Sequence, residues 1–302
     1  MHLVRKGNGV APFERFMASY NAHPAGAEHD LVLLFKGYEG GENELLAHLD
    51  RAPEMTKHLV VGDNGFDLTA YRQAADRLPH ERACFLNSFS RVLHPGWLGL
   101  LADAFDDPSV GLAGATGSWE STVSLGLRQL GDSLSYPGAF ATRAALLDEL
   151  RHESGDSAPN PILEWLFVAK ETVRSAREFR RFPSAHLRTN AFLIERERFL
   201  GVPMPALSTK RDALVFENGR RGLTATVRAQ GLRSVVVDRT GVARGEADWA
   251  EGNVFWQDDQ QDLLVADNQT DAYDAAGARV RALRSRKAWG ASARGVATPS
   301  FP

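Results

Sequence analysis

A single cysteine, Cys84, in 302 residues excludes an intrachain disulfide and a multi-cysteine zinc site. A reducing compartment fits that usage. An excess of charge of one sign is also missing. The 35 basic and 38 acidic residues leave a formal net charge of −3, so no global basic field marks the chain as a nucleic-acid binder. No apolar run reaches the roughly 18 residues of a membrane span. The opening Met1-His-Leu-Val-Arg-Lys-Gly-Asn-Gly lacks the apolar core of a secretory signal. These absences lead to the expectation of a soluble, cytoplasmic protein without a membrane span. No repeat in the range of about 20–50 residues is present, which excludes solenoids and propellers.

Several catalytic signatures are missing too. There is no Walker phosphate loop, no Gly-x-Ser-x-Gly elbow and no His-Glu-x-x-His. After the first strand-like run the chain reads Lys36-Gly-Tyr-Glu-Gly-Gly, not Gly-x-Gly-x-x-Gly. ATPases, serine hydrolases, zincins and classical dehydrogenases are thereby disfavoured.

What is present is an ordinary globular balance, 43% hydrophobic and 24% charged, enough for a substantial core. A short helix is expected near Pro12–Tyr20. Leu31–Phe35, His58–Val61, Ala83–Leu86 and Val110–Ala113 are continuous apolar runs of strand length, as found in strands buried on both faces. Helical stretches are expected between them at Glu42–Ala52, from Asp67 (as a cap) through Arg77, and at Gly96–Phe105. The alternation predicts an α/β fold with a mainly parallel sheet flanked by helices. Further helices are expected at Phe140–Glu153, Ile162–Arg180, Leu223–Ala229 and Ala272–Arg286. Strands are expected at Ala191–Ile194, Ala213–Phe216 and Ser234–Asp238, and the tail from Lys287 is expected to fray. The organisation expected is a helical lead-in over 1–30, a ligand-binding half over 31–120, a second half over 121–240 and a C-terminal extension over 241–302.

Ligands of such sheets sit beyond the carboxyl ends of the strands. Those ends here are Lys36-Gly37-Tyr38, Gly62–Gly65, Asn87–Ser90 and Gly114–Ser118, all rich in Gly, Asn, Asp or Ser. Turn-forming chemistry favours the same residues, but its coincidence at all four ends points to a site.

Four ordered stretches carry a resemblance. They are Leu31–Phe35 with Lys36-Gly37-Tyr38; Val60-Val-Gly-Asp63-Asn-Gly-Phe-Asp67; Cys84-Phe-Leu-Asn87-Ser-Phe-Ser90 with Pro95-Gly-Trp97-Leu and Pro108-Ser-Val-Gly111; and Phe216-Glu217-Asn-Gly-Arg-Arg-Gly-Leu223 running to Gly231. Together they resemble the inverting family 2 group of GT-A glycosyltransferases over residues 31–240. The later segments also look like a bacterial, polysaccharide-associated subgroup. The resemblance implies a nucleotide-sugar donor, held by Lys36, Gly37, Asp63, Asn87 and Ser88, and a glycan or other hydroxyl acceptor. It implies Glu217 as the general base. His186, Arg188, Asn190, Lys210, Arg220 and Trp256 are acceptor or diphosphate candidates, and Trp249 a further aromatic one. The family's metal-holding Asp-x-Asp is replaced by Asn87-Ser88-Phe89, so no metal ligand is assigned and dependence on Mn²⁺ or Mg²⁺ is expected to be weak. Two other readings remain open at this point: a non-catalytic nucleotide- or glycan-binding relative, and a sugar nucleotidyltransferase.

Overall fold

The computed structural model describes residues 1–124, 127 and 161–294. Contacts divide the chain into two units, 1–119 with 185–302, and 120–184. In the larger unit the main strands are β1 (His2–Arg5), β2 (Val32–Lys36), β3 (Lys57–Val61), β4 (Arg82–Leu86), β6 (Val110–Gly114), β9 (Ala191–Glu195), β10 (Arg233–Val237) and β11 (Ala243–Arg244). They form one sheet in the order β11-β10-β6-β9-β4-β1-β2-β3. Pairings β1–β2, β2–β3, β1–β4 and β6–β10 are parallel. β9 lies antiparallel between β4 and β6, and β11 runs antiparallel at one edge. Short pairs β5 (Arg91–Val92) with β12 (Val265–Ala266) and β7 (Gly117–Ser118) with β8 (His186–Leu187) complete the strands.

The apolar runs are continuous because both sheet faces are covered. Leu3, Leu34 and Phe85 belong to one core, and their neighbours Val4, Leu33, Phe35 and Leu86 to the other. Helices α1 (Ala11–Ala22), α2 (Glu42–Leu49), α3 (Asp67–Arg77) and α4 (Trp97–Asp103) connect the early strands. Later come α6 (Arg196–Gly201), α7 (Lys210–Asn218), α8 (Leu223–Ala229), α9 (Asn268–Asp274) and α10 (Ala278–Trp289). The smaller unit holds α5 (Pro161–Glu178), close to its expected span, and there the Ser121 hydroxyl donates to the Arg180 carbonyl at 2.7 Å.

The α/β class and mainly parallel sheet agree with the sequence expectation. Five local expectations do not. The first residues are not only a helical lead-in: His2–Arg5 is a strand inside the sheet, between β2 and β4. Residues 213–216 belong to helix α7, whose Thr209 cap and Asp212 form a reciprocal capping box that outweighs a short apolar run. Asp67 is the first residue of α3, not its cap. The expected 272–286 helix is two helices, α9 and α10. The tail does not fray at Lys287, because Trp289 is fully buried and its indole donates to the Phe255 carbonyl at 2.6 Å. The expected helix at 140–153 lies outside the described residues.

Candidate active site

The strand order reverses between β1 and β4, which places a crevice at the carboxyl ends of those two strands. The loops leaving them meet there: the Asn8 side-chain amide donates to the Ser88 hydroxyl at 2.7 Å. Beside it, β2 ends in Lys36, whose side chain is buried and donates through Nζ to the Gly65 carbonyl. Burial holds the Lys36 ammonium below the usual lysine range, against the opposing pull of Asp67 and Asp63. Gly37 has a φ of +80°, and a Cβ there would lie 3.5 Å from the Asp63 carboxyl. The positive φ is what the turn asks of the glycine, since a Cβ at that distance would make only ordinary contact with the exposed Asp63. Arg5, exposed at the end of β1, completes a basic group of Arg5 and Lys36 facing Asp63 and Asp67. Burial pushes the Asp67 carboxyl up, and Lys36 and Arg5 oppose that rise.

Next to this group lies a polar cavity of about 140 Å³. At about 30 Å³ per water it holds roughly five water volumes. Its walls come from α3 (Asp67, Leu68, Tyr71), the end of β4 (Asn87), the residues leading into β9 (Arg188, Thr189, Asn190), the end of α7 (Glu217) and the start of α9 (Asp267, Asn268, Gln269). Because β9 is antiparallel, its beginning lies at the same end of the sheet as the ends of β4 and β6.

Each residue entering β9 fixes a different neighbour. The Arg188 guanidinium donates to Asp267 at 3.0 Å, with the two side chains 8% and 1% exposed, and stacks 4.1 Å from the Phe255 ring centre. Thr189 donates to Glu217 Oε2 from both its backbone N–H (2.9 Å) and its hydroxyl (2.5 Å). Those bonds orient the carboxylate, and among the described residues Oε1 has no hydrogen-bond partner. Asn190 accepts from the Asn87 N–H through its carbonyl at 3.0 Å and from the Thr116 hydroxyl through Oδ1 at 2.6 Å. Three buried polar atoms on residues lining this cavity have no hydrogen-bond partner among the described residues: Tyr71 Oη, Arg188 Nη1 and Asn190 Nδ2.

The structure therefore brings Glu217, Arg188, Asn190 and Asn87 into one cavity, with Lys36, Gly37, Asp63 and Ser88 at the neighbouring strand ends. Lys210 is not there. It sits exposed at the start of α7, seven residues from Glu217, or about 10 Å along a helix. Arg220 is exposed beyond the helix end. His186 is buried in β8 and does not line the cavity. The motifs entering β9 are central, not at a sheet edge. Trp256 is buried with its ring stacked on Phe255 at 4.4 Å, and the Trp249 indole donates inward to the Arg244 carbonyl at 2.9 Å. Neither indole offers a free face for a sugar. Asp67, Tyr71, Thr189 and Gln269 were not singled out by the sequence as site residues. Asp67 and Tyr71 had one signal, an i,i+4 spacing on a helix that starts just after a strand end.

The residues expected at a metal site do not fit a cation. Asn87 Oδ1 is engaged locally, accepting from the Phe89 N–H at 2.9 Å and the Ser90 hydroxyl at 3.2 Å. Phe89 has no ligand atom for a hard cation. Among the described residues no three His, Cys, Asp or Glu side chains converge.

Fold and crevice define an α/β protein with a charged and hydroxyl-lined site at its strand ends. No protein-family model matches the chain, and no curated protein matches it by sequence. Among solved structures it is similar to the mannosyltransferase PcManGT of Pyrobaculum calidifontis, in complex with GDP-Man and Mn²⁺, at 12% identity over 82% of this chain and 59% of that one, TM-score 0.43. It is also similar to mouse xyloside xylosyltransferase 1 (13% identity, 79% and 84% covered, TM-score 0.36). A third is the mannosyltransferase Ktr4p of S. cerevisiae (12% identity, 76% and 64% covered, TM-score 0.36). The chain thus spans 59% and 64% of the two mannosyltransferases. At these scores the likeness carries no functional conclusion. Among the described residues no helix is long and apolar enough to cross a membrane.

Proposed function

We propose that the protein is an inverting glycosyltransferase that moves a sugar from a nucleotide-sugar donor to a hydroxyl acceptor, with Glu217 as general base. The observation that carries this reading is the anchored but half-committed carboxylate. Thr189 fixes Oε2, Oε1 remains uncommitted, and the group stands in a polar cavity that adjoins the basic strand ends. In the proposed step, Oε1 takes the proton of the acceptor hydroxyl while its oxygen bonds to the anomeric carbon. The bond from that carbon to the diphosphate breaks on the opposite side, and the nucleoside diphosphate leaves with the electron pair. Lys36 and Arg5 supply positive charge toward the diphosphate, Asp63 accepts from ribose or base, and Asn8–Ser88 shapes the crevice between β1 and β4. Arg188 is not assigned to the diphosphate, because its charge is matched by Asp267.

A non-catalytic binding protein is the second reading, favoured by Asn87-Ser88-Phe89. Glu217→Gln separates the two. It keeps shape and the Thr189 bonds but cannot take a proton. Turnover of nucleotide sugars, read as released nucleoside diphosphate, should fall about 10²–10⁴-fold with donor affinity unchanged. Wild-type turnover in the variant refutes the assignment of the base. Donor binding by the wild type with no transfer to any acceptor supports the second reading.

A further inference from the structure

The cavity beside Glu217 carries a specificity that the proposed reaction does not by itself dictate. Its uncommitted polar atoms are Tyr71 Oη, Arg188 Nη1 and Asn190 Nδ2, on side chains 0%, 7% and 3% exposed. Buried polar atoms are nearly always paired, so three orphans on residues that line one cavity mark groups shaped for a ligand or its water. Two of them only donate, and the phenol both donates and accepts. The Asp67 carboxyl, on the same helix as Tyr71, accepts, and the negative charge of Glu217 adds to it. Among the described residues the one cation lining the cavity, Arg188, is already matched by Asp267. The wall therefore offers alternating donors and acceptors with a surplus of carboxylate. That pattern suits hydroxyl groups, which donate and accept at once, and opposes an anion.

Position decides which hydroxyl-bearing group enters. Asp67 lines the cavity and is coupled to Lys36 and Arg5, and Asn87 lines it at the foot of the Asn8–Ser88 contact. A group joined directly to a diphosphate held at those strand ends comes first to this cavity. We propose that the cavity receives the transferred sugar ring of the donor and selects a neutral, hydroxyl-rich ring over one bearing a carboxylate, with Tyr71, Asn190 and Arg188 reading its hydroxyls. This rests on the nucleotide-sugar reading above. Tyr71 and Asn190 are here specificity residues that touch the ring and take no part in proton transfer.

The test is calorimetry with UDP, UDP-glucose and UDP-glucuronate, and with GDP and GDP-mannose, on wild type, Tyr71→Phe and Asn190→Asp. Tyr71→Phe removes one oxygen from a buried ring. Asn190→Asp keeps the oxygen that Thr116 needs and replaces the donor. The wild type should bind a neutral nucleotide sugar roughly tenfold or more tightly than the uronate, since like charges brought together across an interface are costly. Tyr71→Phe should lose about two- to tenfold in affinity for the neutral nucleotide sugar, the range of one net hydrogen bond, and nothing for the bare nucleoside diphosphate, whereas Asn190→Asp, which adds a charge, should weaken the neutral nucleotide sugar by more than the bare diphosphate. That diphosphate affinity also reports that the variants are folded. Equal affinity for glucose and glucuronate donors, or a Tyr71→Phe loss shared by the bare diphosphate, overturns the inference while leaving the functional reading intact. Failure of every nucleoside diphosphate to bind removes both.

Discussion

Arg188→Met probes whether the guanidinium that enters β9 is a structural cation or a free ligand for phosphate. The wild-type pair is buried on both sides, 8% and 1% exposed, and 3.0 Å apart. Removing one partner of a buried pair costs about 3–5 kcal/mol, because the other charge is left uncompensated. Asp267 would keep two backbone donors, Gln269 N–H at 3.1 Å and Thr270 N–H at 3.0 Å, which places the loss toward the lower end. The contact of Arg188 with Phe255 at 4.1 Å contributes up to about 2 kcal/mol when desolvated, and a Met sulfur on the same ring recovers about 0.3–1.5 of it. The net expectation is about 3–4 kcal/mol of lost stability, read as a lower urea midpoint at unchanged slope. Adding Asp267→Asn to Arg188→Met should restore much of it, since the uncompensated charge is gone and an amide oxygen can still cap α9. A loss below about 1 kcal/mol in the single variant is the behaviour of an exposed pair. It would refute the buried pair and return Arg188 to the list of diphosphate ligands.

Glu217→Gln, as stated above, should cut turnover about 10²–10⁴-fold without changing donor affinity. Excess chelator should leave donor binding and turnover within about twofold, because Asn87 Oδ1 is spent on its own turn and Phe89 cannot ligate; complete loss restored by Mn²⁺ would reveal another ligand set. Stability should fall on acidification through the ordinary histidine range, because burial of His2 against Phe16 (ring centres 3.6 Å apart) holds its pKa well below 6.5. Below that pH the unfolded chain binds a proton that the folded chain refuses, so stability drops by up to about 1.4 kcal/mol per pH unit. His2→Leu should flatten that slope in urea titrations between pH 7.5 and 5.5, and an unchanged slope would clear His2.

The sheet was legible wherever burial on both faces wrote a continuous apolar run, as in Leu31–Phe35 and Ala83–Leu86. It was not legible at β1, where only Leu3 and Val4 are apolar and His2 is buried as a neutral ring. Four residues with two polar ends carry no period to read. At 213–216 the short apolar run read as a strand, and the Thr209–Asp212 capping box set a helix instead. The strand-end loops announced one side of the crevice, at Lys36-Gly37, Asp63 and Asn87-Ser88. The cavity wall did not announce itself, because Asp67, Tyr71, Thr189 and Gln269 are ordinary helix and turn residues whose meaning comes from what faces them. The bulky aromatics misled in the opposite direction: Trp249 and Trp256 were offered as sugar platforms and are packed inside.

The reversed strand is what gathers this wall. A parallel sheet offers only strand ends to its crevice, each followed by a loop that leaves for a helix. β9, running the other way, enters the sheet at the crevice, so the three residues that precede its ladder are set there. Their bonds reach partners 79, 28 and 100 residues away: Arg188 to Asp267, Thr189 to Glu217, and the Asn190 carbonyl to the Ser90 hydroxyl. Consecutive side chains diverge on entering a strand, so each can serve a different segment without competing for space. Glu217, the capped start of α9 and the turn after β4 are thus set by one register. Shifting β9 by one residue would exchange all three partners and turn its core-facing side chains to the opposite face. The position of Glu217 is therefore decided less by α7, which carries it, than by the Ala191–Glu195 strand that Thr189 precedes.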